Sequence, residues 1–263
     1  MKTRRTPPSL PRPDCSEVEW RTRVDLAAAY RLVAHFGMTD LVSNHISARI
    51  PGSEEFLLNP FGWLYEEMTA SSLIRIDVAG NILHNPHERY SINTAGYVIH
   101  SAIHAARPDV GCVIHTHTTA GIAISTLECG ILPISQSAMR FAEIAYHDYQ
   151  GVVFNEDEKA SLVRDLGPAD VMVLRNHGLL ACGATIAQAF NSIYRLERIC
   201  RIQAMAMACN SPIIRPSPEV VALSNQQYAG NKSAVGLPST PLGEMEWPAM
   251  LRILDYHNPG YDQ

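Results

Sequence analysis

No stretch of this 263-residue chain sustains the ~18 consecutive apolar residues that a bilayer-spanning helix needs, so a helical membrane protein is not expected. Basic residues are not in excess either. With 21 Lys and Arg against 26 Asp and Glu the formal net charge is −5, which gives no reason to expect nucleic acid or an anionic membrane surface as a partner. The six cysteines (15, 112, 129, 182, 200 and 209) contain no C-x-x-C pair. Several sit inside apolar runs, as buried free thiols do in reducing compartments, and the cytoplasm is the expected location. Met1–Pro13 lacks the apolar h-region of a secretory signal. It carries Lys2, Arg4, Arg5 and Arg12 among four prolines, and residues 1–15 read as a short disordered arm. Internal repeats and long low-complexity linkers are missing too. What is present is an ordinary globular composition, 46% hydrophobic and 18% charged, long enough for one large domain with a full core.

Local patterns divide the chain into elements. Ser16 and Glu19 make an S-x-x-E capping box opening a helix to about Phe36, closed by Gly37. Strands are expected at His45–Ile50, up to Leu58, and at Leu73–Val78, where Ala79-Gly80-Asn81 turns the chain. Ser91–Ala106 reads as a helix stopped by Arg107-Pro108-Asp109. Val110–His117 reads as a strand, Thr118–Leu127 as a helix, Gly151–Phe154 as a short strand and Glu156–Leu166 as a helix. Asp170–Leu174 is a further strand. Thr185–Cys209 is the longest helix, apolar around much of its circumference, and Pro212–Pro218 breaks it. Glu219–Ala229 and Glu244–Leu254 are short amphipathic pieces. The division is an arm at 1–15, an α/β domain at 16–210 and an extension at 211–263 that packs on a neighbouring subunit.

The most informative residues are His115 and His117, one threonine apart at the end of the apolar run Val110–Ile114. A strand has a side-chain period of two, so both imidazoles leave one edge in the same direction. A hydrogen-bonded pair or two surface residues would show the same spacing. So would two ligands of a divalent metal, provided a third arrives from elsewhere. His177 is the candidate, in Arg175-Asn176-His177-Gly178 after a second strand-like run. Three histidines with an open position describe a catalytic rather than a structural site, which four ligands would close.

With these pieces placed, the chain resembles the class II aldolase/adducin family, over roughly residues 16 to 210. The resemblance rests on Ser43-Asn44-His45-Ile46-Ser47, Asn59-Pro60-Phe61-Gly62, Ala105-Ala106-Arg107-Pro108-Asp109-Val110, Val113-Ile114-His115-Thr116-His117 and Arg175-Asn176-His177-Gly178-Leu179. Asn93–Val110 and Glu143–Gly151 look closest to the adducin-like branch. The resemblance implies a three-layer α/β/α sandwich around a mainly antiparallel central sheet, assembled as a homotetramer with sites at subunit boundaries. It implies His115, His117 and His177 as ligands of one divalent metal, zinc first, with manganese and iron as alternatives. It also implies substrate contacts from the loops carrying Asn44, Ser47, Asn59, Phe61 and Gly62, and from Thr94.

Departures from the family narrow the chemistry. Counting back from Arg107-Pro108-Asp109, the aldolases' Ser-Ser-Glu falls on Thr94-Ala95-Gly96, so their acid/base glutamate is a glycine here. Ser43-Asn44 stands where Gly-Asn is usual, and Phe61 where a hydroxyl residue is usual. Each change removes a phosphate contact or adds apolar bulk, so a small carboxylate is expected rather than a sugar phosphate. Phe61 and Trp63 suit a flatter, more apolar ligand or simply pack. His100, Glu88 and Tyr146, with Tyr90, are the candidates for the missing acid/base. His100 and His104, four apart on one helix face, also read as buried histidines bonded to their neighbours. Tyr146, His147 and Asp148 form a polar cluster able to enter a site across a subunit boundary. The leading expectation is a metal-dependent lyase cleaving a carbon–carbon bond by retro-aldol reaction or decarboxylation. The alternatives are a non-enzymatic adducin-like oligomerisation module, without adducin's basic tail, and a non-haem iron oxygenase.

Overall fold

The computed structural model describes residues 9–151, 156–230 and 241–263. Eight strands form one sheet: β1 (His45–Arg49), β2 (Glu55–Leu58), β3 (Ile74–Asp77), β4 (Ile82–His84), β5 (Cys112–Thr116), β6 (Ala145–His147), β7 (Val171–Leu174) and β8 (Gly178–Gly183). Their order is β4-β3-β2-β1-β5-β8-β7-β6, antiparallel throughout except for the parallel β6–β7 pair.

The period-two pattern of the central strands sets the layers. On one face Ile46, Ala48, Cys112, Ile114, Val173 and Ala181 join one apolar cluster with α1 (Glu17–His35) and α5 (Ile186–Ala208). On the other face Val113, Met172, Leu180 and Cys182 meet Ile99 and Ile103 of α2 (Thr94–Ala106) and Leu162 and Leu166 of α4 (Glu156–Leu166). The expected three-layer sandwich around a mainly antiparallel sheet is therefore present. His45 and Ser47 of β1 and His115 of β5 fall on the α2 side of this alternation.

The helices sit close to their expected limits because their signals are local. Ser16 Oγ caps α1 by accepting from the Glu19 N–H at 3.1 Å. The reciprocal arm of the expected box is replaced by an ion cluster. The buried Glu19 carboxylate binds Arg23 and Arg75, each at 2.8 Å, because two guanidiniums outcompete one backbone amide for it. Asn93 caps α2, accepting from the Gly96 N–H at 3.3 Å. Between β5 and the third histidine lies the short α3 (Thr119–Ser125), capped by Thr118.

Three strands were not expected. β4 is made by the turn at Gly80, β6 has three residues, and β8 is a six-residue run bounded by glycines. Segments this short carry little propensity of their own, and their neighbours in the sheet define them. Of the strand expected at Gly151–Phe154, Gly151 is a bend and the rest lies outside the described residues.

Beyond α5 come α6 (Pro218–Gly230) and α7 (Trp247–His257). Residues 241–263 are bound to their own chain. Trp247 donates its indole N–H to Asp25 at 2.9 Å, and Leu254 is fully buried. Arg31 donates to the carbonyls of Asn258, Pro259 and Gly260, while the Ala70 and Ser71 N–H groups bond Tyr261 and Gln263.

Candidate metal centre

His115 and His177 reach one point from two neighbouring strands. β5 and β8 pair antiparallel with His115 opposite Leu180, and the β7–β8 turn Arg175–His177 folds back over the end of β5. Asn176 takes a left-handed backbone with φ of 57° to make that turn. Gly178 permits the approach, since a Cβ there would lie 2.4 Å from the Thr116 carbonyl oxygen. His117 follows the last residue of β5.

The three Nε2 atoms form a triangle. His115 and His117 are 2.7 Å apart, His115 and His177 3.2 Å, and His117 and His177 3.0 Å. The protons can be placed from the outer nitrogens. His115 Nδ1 is 2.9 Å from the Leu179 carbonyl oxygen, which only accepts, so Nδ1 is the donor and Nε2 the lone pair. His117 Nδ1 faces the Asp40 carboxylate at 3.2 Å, so its neutral ring carries the proton there and leaves Nε2 the lone pair. Burial, reinforced by the neighbouring imidazoles, pushes the His115 pKa well below its usual value and that of His177 to about 4. His115 and His177 are therefore neutral near pH 7. Nitrogen lone pairs brought this close repel one another unless a proton or a cation lies between them, and the set suits a divalent ion. Held outer nitrogens are also what metal-binding histidines require. Among the described residues this is the one set of three or more His, Cys, Asp or Glu side chains whose ligand atoms come together in this way.

A second histidine chain runs behind the first. His45 lies across from His115 in the β1–β5 pairing, with ring centroids 4.9 Å apart. Its Nδ1 bonds His100 Nε2 at 2.7 Å. His100 Nδ1 bonds Ser47 Oγ at 2.6 Å, Ser47 bonds His104 Nε2 at 2.8 Å, and His104 Nδ1 reaches the Val110 carbonyl at 3.3 Å. The His45 Nε2 bonds no described residue. Gly96 makes room for this ring: a Cβ at 96 would lie 2.3 Å from His45 Cδ2 and 2.8 Å from Nε2.

The other expected site residues scatter. His100 is buried and acts only through His45 or Ser47. Glu88 is exposed and bonds no described residue. The Tyr146 hydroxyl accepts from the Ile131 N–H at 2.9 Å and its ring covers Arg175, so its polar end is engaged in the fold. Tyr149 is the tyrosine beside the cluster, its ring centroid 6.3 Å from that of His177. Ser47 is taken up by His100 and His104. Asn59 shares two hydrogen bonds with Tyr30, and the Asn44 Oδ1 accepts from the Asp40 N–H at 2.5 Å. Phe61 is 45% exposed, on a loop bonded to Ser91 through its N–H. Gly62 follows it with φ of 103° beside the Tyr90 ring, and Thr94 is exposed at the first turn of α2. Trp63 is buried against His87 and Tyr90, so it packs.

His45, Asp40 and His147 were not singled out individually as site residues. Register brings His45 to His115, and a loop brings Asp40 to His117. His45 lies in the Ser43–Ser47 motif and His147 in the Tyr146, His147 and Asp148 cluster expected to enter a site across a subunit boundary, while Asp40 carries no sequence signal. His147 lines a small cavity with His177 of the same chain.

Comparison with known proteins agrees with this arrangement. A family profile described as "Class II Aldolase and Adducin N-terminal domain" matches residues 24–204. A Pseudomonas aeruginosa protein provisionally named an aldolase class 2 protein is 47% identical over 253 residues, 94% of each chain. Alpha-adducin of Rattus norvegicus is 40% identical over 246 residues, 91% of this chain and 33% of the adducin. Among solved structures, an aldolase II superfamily protein from Pseudomonas syringae aligns with a TM-score of 0.87 at 43% identity, covering 95% of this chain and 98% of that one. L-fuculose 1-phosphate aldolase from Glaciozyma antarctica aligns with a TM-score of 0.80 at 28% identity, covering 96% and 97%. With its sandwich fold and three converging imidazoles, the chain belongs to the class II aldolase/adducin family.

Proposed function

We propose that this protein is a metal-dependent lyase that cleaves a carbon–carbon bond of a small oxygenated carboxylate, by retro-aldol reaction or decarboxylation. The observation that carries the reading is the convergence of the His115, His117 and His177 Nε2 atoms, with Asp40 and Leu179 holding two of the rings from behind. Zinc is the proposed ion, with manganese or iron as alternatives that imidazole also accepts. Bound there, it would polarise a substrate carbonyl and stabilise the negative charge left when the bond breaks.

The proton is assigned to His45. Its Nε2 is unbonded beside His115, and its Nδ1 connects through His100 to Ser47 and His104. Proton delivery by a positioned side chain contributes typically about 10²–10⁴-fold. His100 thus keeps a part in the chemistry, as a positioning residue behind His45. Glu88 and Tyr146 stay in the proposal only as groups of the assembled enzyme.

For the substrate, Ser47, Asn59 and the Asn44 oxygen are already engaged within the protein, which disfavours a phosphate held by them. Phe61, Gly62 and Thr94 remain at the surface as the rim, and Phe61 favours a less polar ligand. Assembly as a homotetramer with sites near subunit boundaries belongs to the reading. Ile214, Tyr256 and Met205, exposed by 91%, 83% and 72%, support it as apolar surface needing cover. No helix among the described residues is long and apolar enough to cross a membrane. All six cysteines are free, which supports a cytoplasmic setting.

The test is metal analysis of protein purified without chelators, followed by a screen of 2-hydroxy, 2-keto and aromatic hydroxy acids. One equivalent of metal, lost in His115→Ala together with turnover, is expected. Wild-type protein free of transition metal would refute the reading. The 40% identity to alpha-adducin favours a second reading, a non-enzymatic oligomerisation module. Turnover of any carboxylate removes it. Oxygen uptake with bound iron would instead indicate an oxygenase.

A further inference from the structure

Two of the three clustered rings are held at the outer nitrogen by a protein acceptor, and the third is not. His177 Nδ1 bonds no described residue, whereas Leu179 holds His115 and Asp40 holds His117. Beside His177 is a cavity of about 10 Å³, lined by His147, Tyr149 and Arg175 among others. That is roughly the space of one water. His147 is only 4% exposed, and its Nδ1 lies 2.8 Å from Asp165 Oδ2. A carboxylate accepts, so in the neutral ring His147 Nδ1 carries the proton and Nε2 is a lone pair. That Nε2 is buried and has no partner. Leaving such an atom unpaired is destabilising unless a donor reaches it.

We propose that Asp165 and His147 are positioning residues for His177, acting through one water held in this cavity. The hydrogen bonds run in one direction. His177 Nδ1–H donates to the water, the water donates to His147 Nε2, and His147 Nδ1–H donates to Asp165. This direction keeps the His177 proton on Nδ1 and leaves Nε2 a lone pair, matching His115 and His117. A His177 protonated on Nε2 has no lone pair to offer the cluster. The proposal rests on the metal-centre reading above, and it explains why a histidine–carboxylate hydrogen bond between β6 and α4 is placed against the one ring without its own acceptor.

Two variants of the full chain test it. His147→Phe keeps the ring's bulk and removes the acceptor. Asp165→Asn keeps the shape and turns an amide N–H toward His147, since Arg164 already donates to the other carboxylate oxygen at 3.1 Å. That reverses the chain and drives the His177 proton to Nε2. Zinc affinity, read by competition with a chromophoric chelator, is expected to fall about 10- to 100-fold in each variant, with the melting temperature of metal-free Asp165→Asn close to wild type. Affinities equal to a wild type that binds one zinc overturn the proposal while leaving the metal site standing. Nitrogen-15 NMR of His177 in metal-free protein separates the two failures. The Nδ1–H tautomer in wild type and its loss in Asp165→Asn support the relay, even if zinc does not bind. The same tautomer in both overturns it.

Discussion

Gly96→Ala is the sharpest probe of how the site is packed, because two opposing effects predict opposite signs. Position 96 lies in the first turn of α2, where Ala in place of Gly gains up to about 1 kcal/mol of helix stability if nothing else changes. The new Cβ, however, would lie 2.3 Å from His45 Cδ2, 2.7 Å from Cγ and 2.8 Å from Nε2. The ring has nowhere to go: it is 5% exposed, packed against His115 and bonded to His100. Overpacking of this kind costs about 1–3 kcal/mol, and losing the His45–His100 bond adds about 1 kcal/mol. Against the propensity gain, the net loss is about 1–3 kcal/mol. At roughly 2–4 °C per kcal/mol for a chain of this size, the melting temperature should fall by roughly 2–12 °C. Differential scanning calorimetry of Gly96→Ala, His45→Ala and the double variant reads it. The double variant should lose less than the sum of the singles, because the small ring-free position accepts the methyl. A Gly96→Ala protein as stable as wild type, or more so, refutes the claim that this glycine exists to admit His45.

Three further outcomes are expected. His115→Ala should reduce bound metal from one equivalent to a trace, measured by plasma mass spectrometry, while His257→Ala should leave it unchanged; retention in His115→Ala would rule out that ring as a ligand. Burial depresses His177 to about 4 and His104 to about 3, below the unfolded value near 6.5. The unfolded chain therefore binds more protons across that interval, so the stability these rings contribute is full above about pH 6.5 and is lost as pH falls toward 3. In chelator-treated protein the urea midpoint should drop between pH 7.5 and pH 5, and a flat or rising midpoint contradicts the assignment. Trp247→Phe removes the donor to Asp25, whose carboxyl burial already raises its pKa. A loss of about 1–3 kcal/mol is expected by urea unfolding, and an unchanged midpoint would show that α7 is not anchored there.

What the amino-acid sequence determined alone are the features carried by neighbours along the chain. The Ser16 cap, the 23-residue α5 and the alternation that points His115 and His117 from one edge depend on spacing of one to four residues. The five family motifs likewise survive in order without knowledge of pairing. β8, β6 and β4 were not visible, since three to six residues bounded by turns become strands only when a partner supplies their hydrogen bonds. The surroundings of His100 were out of reach for the same reason. Helix spacing put it on α2 facing the sheet, but the β1–β5 register decided that His45 stands in front of it. Tyr146 and His147 were read together as one polar cluster, and strand alternation in β6 sent the two side chains to opposite faces. Asp40, Asp165 and Gly96 acquire their roles from atoms 77, 18 and 51 residues away in sequence, a separation that only the folded chain closes.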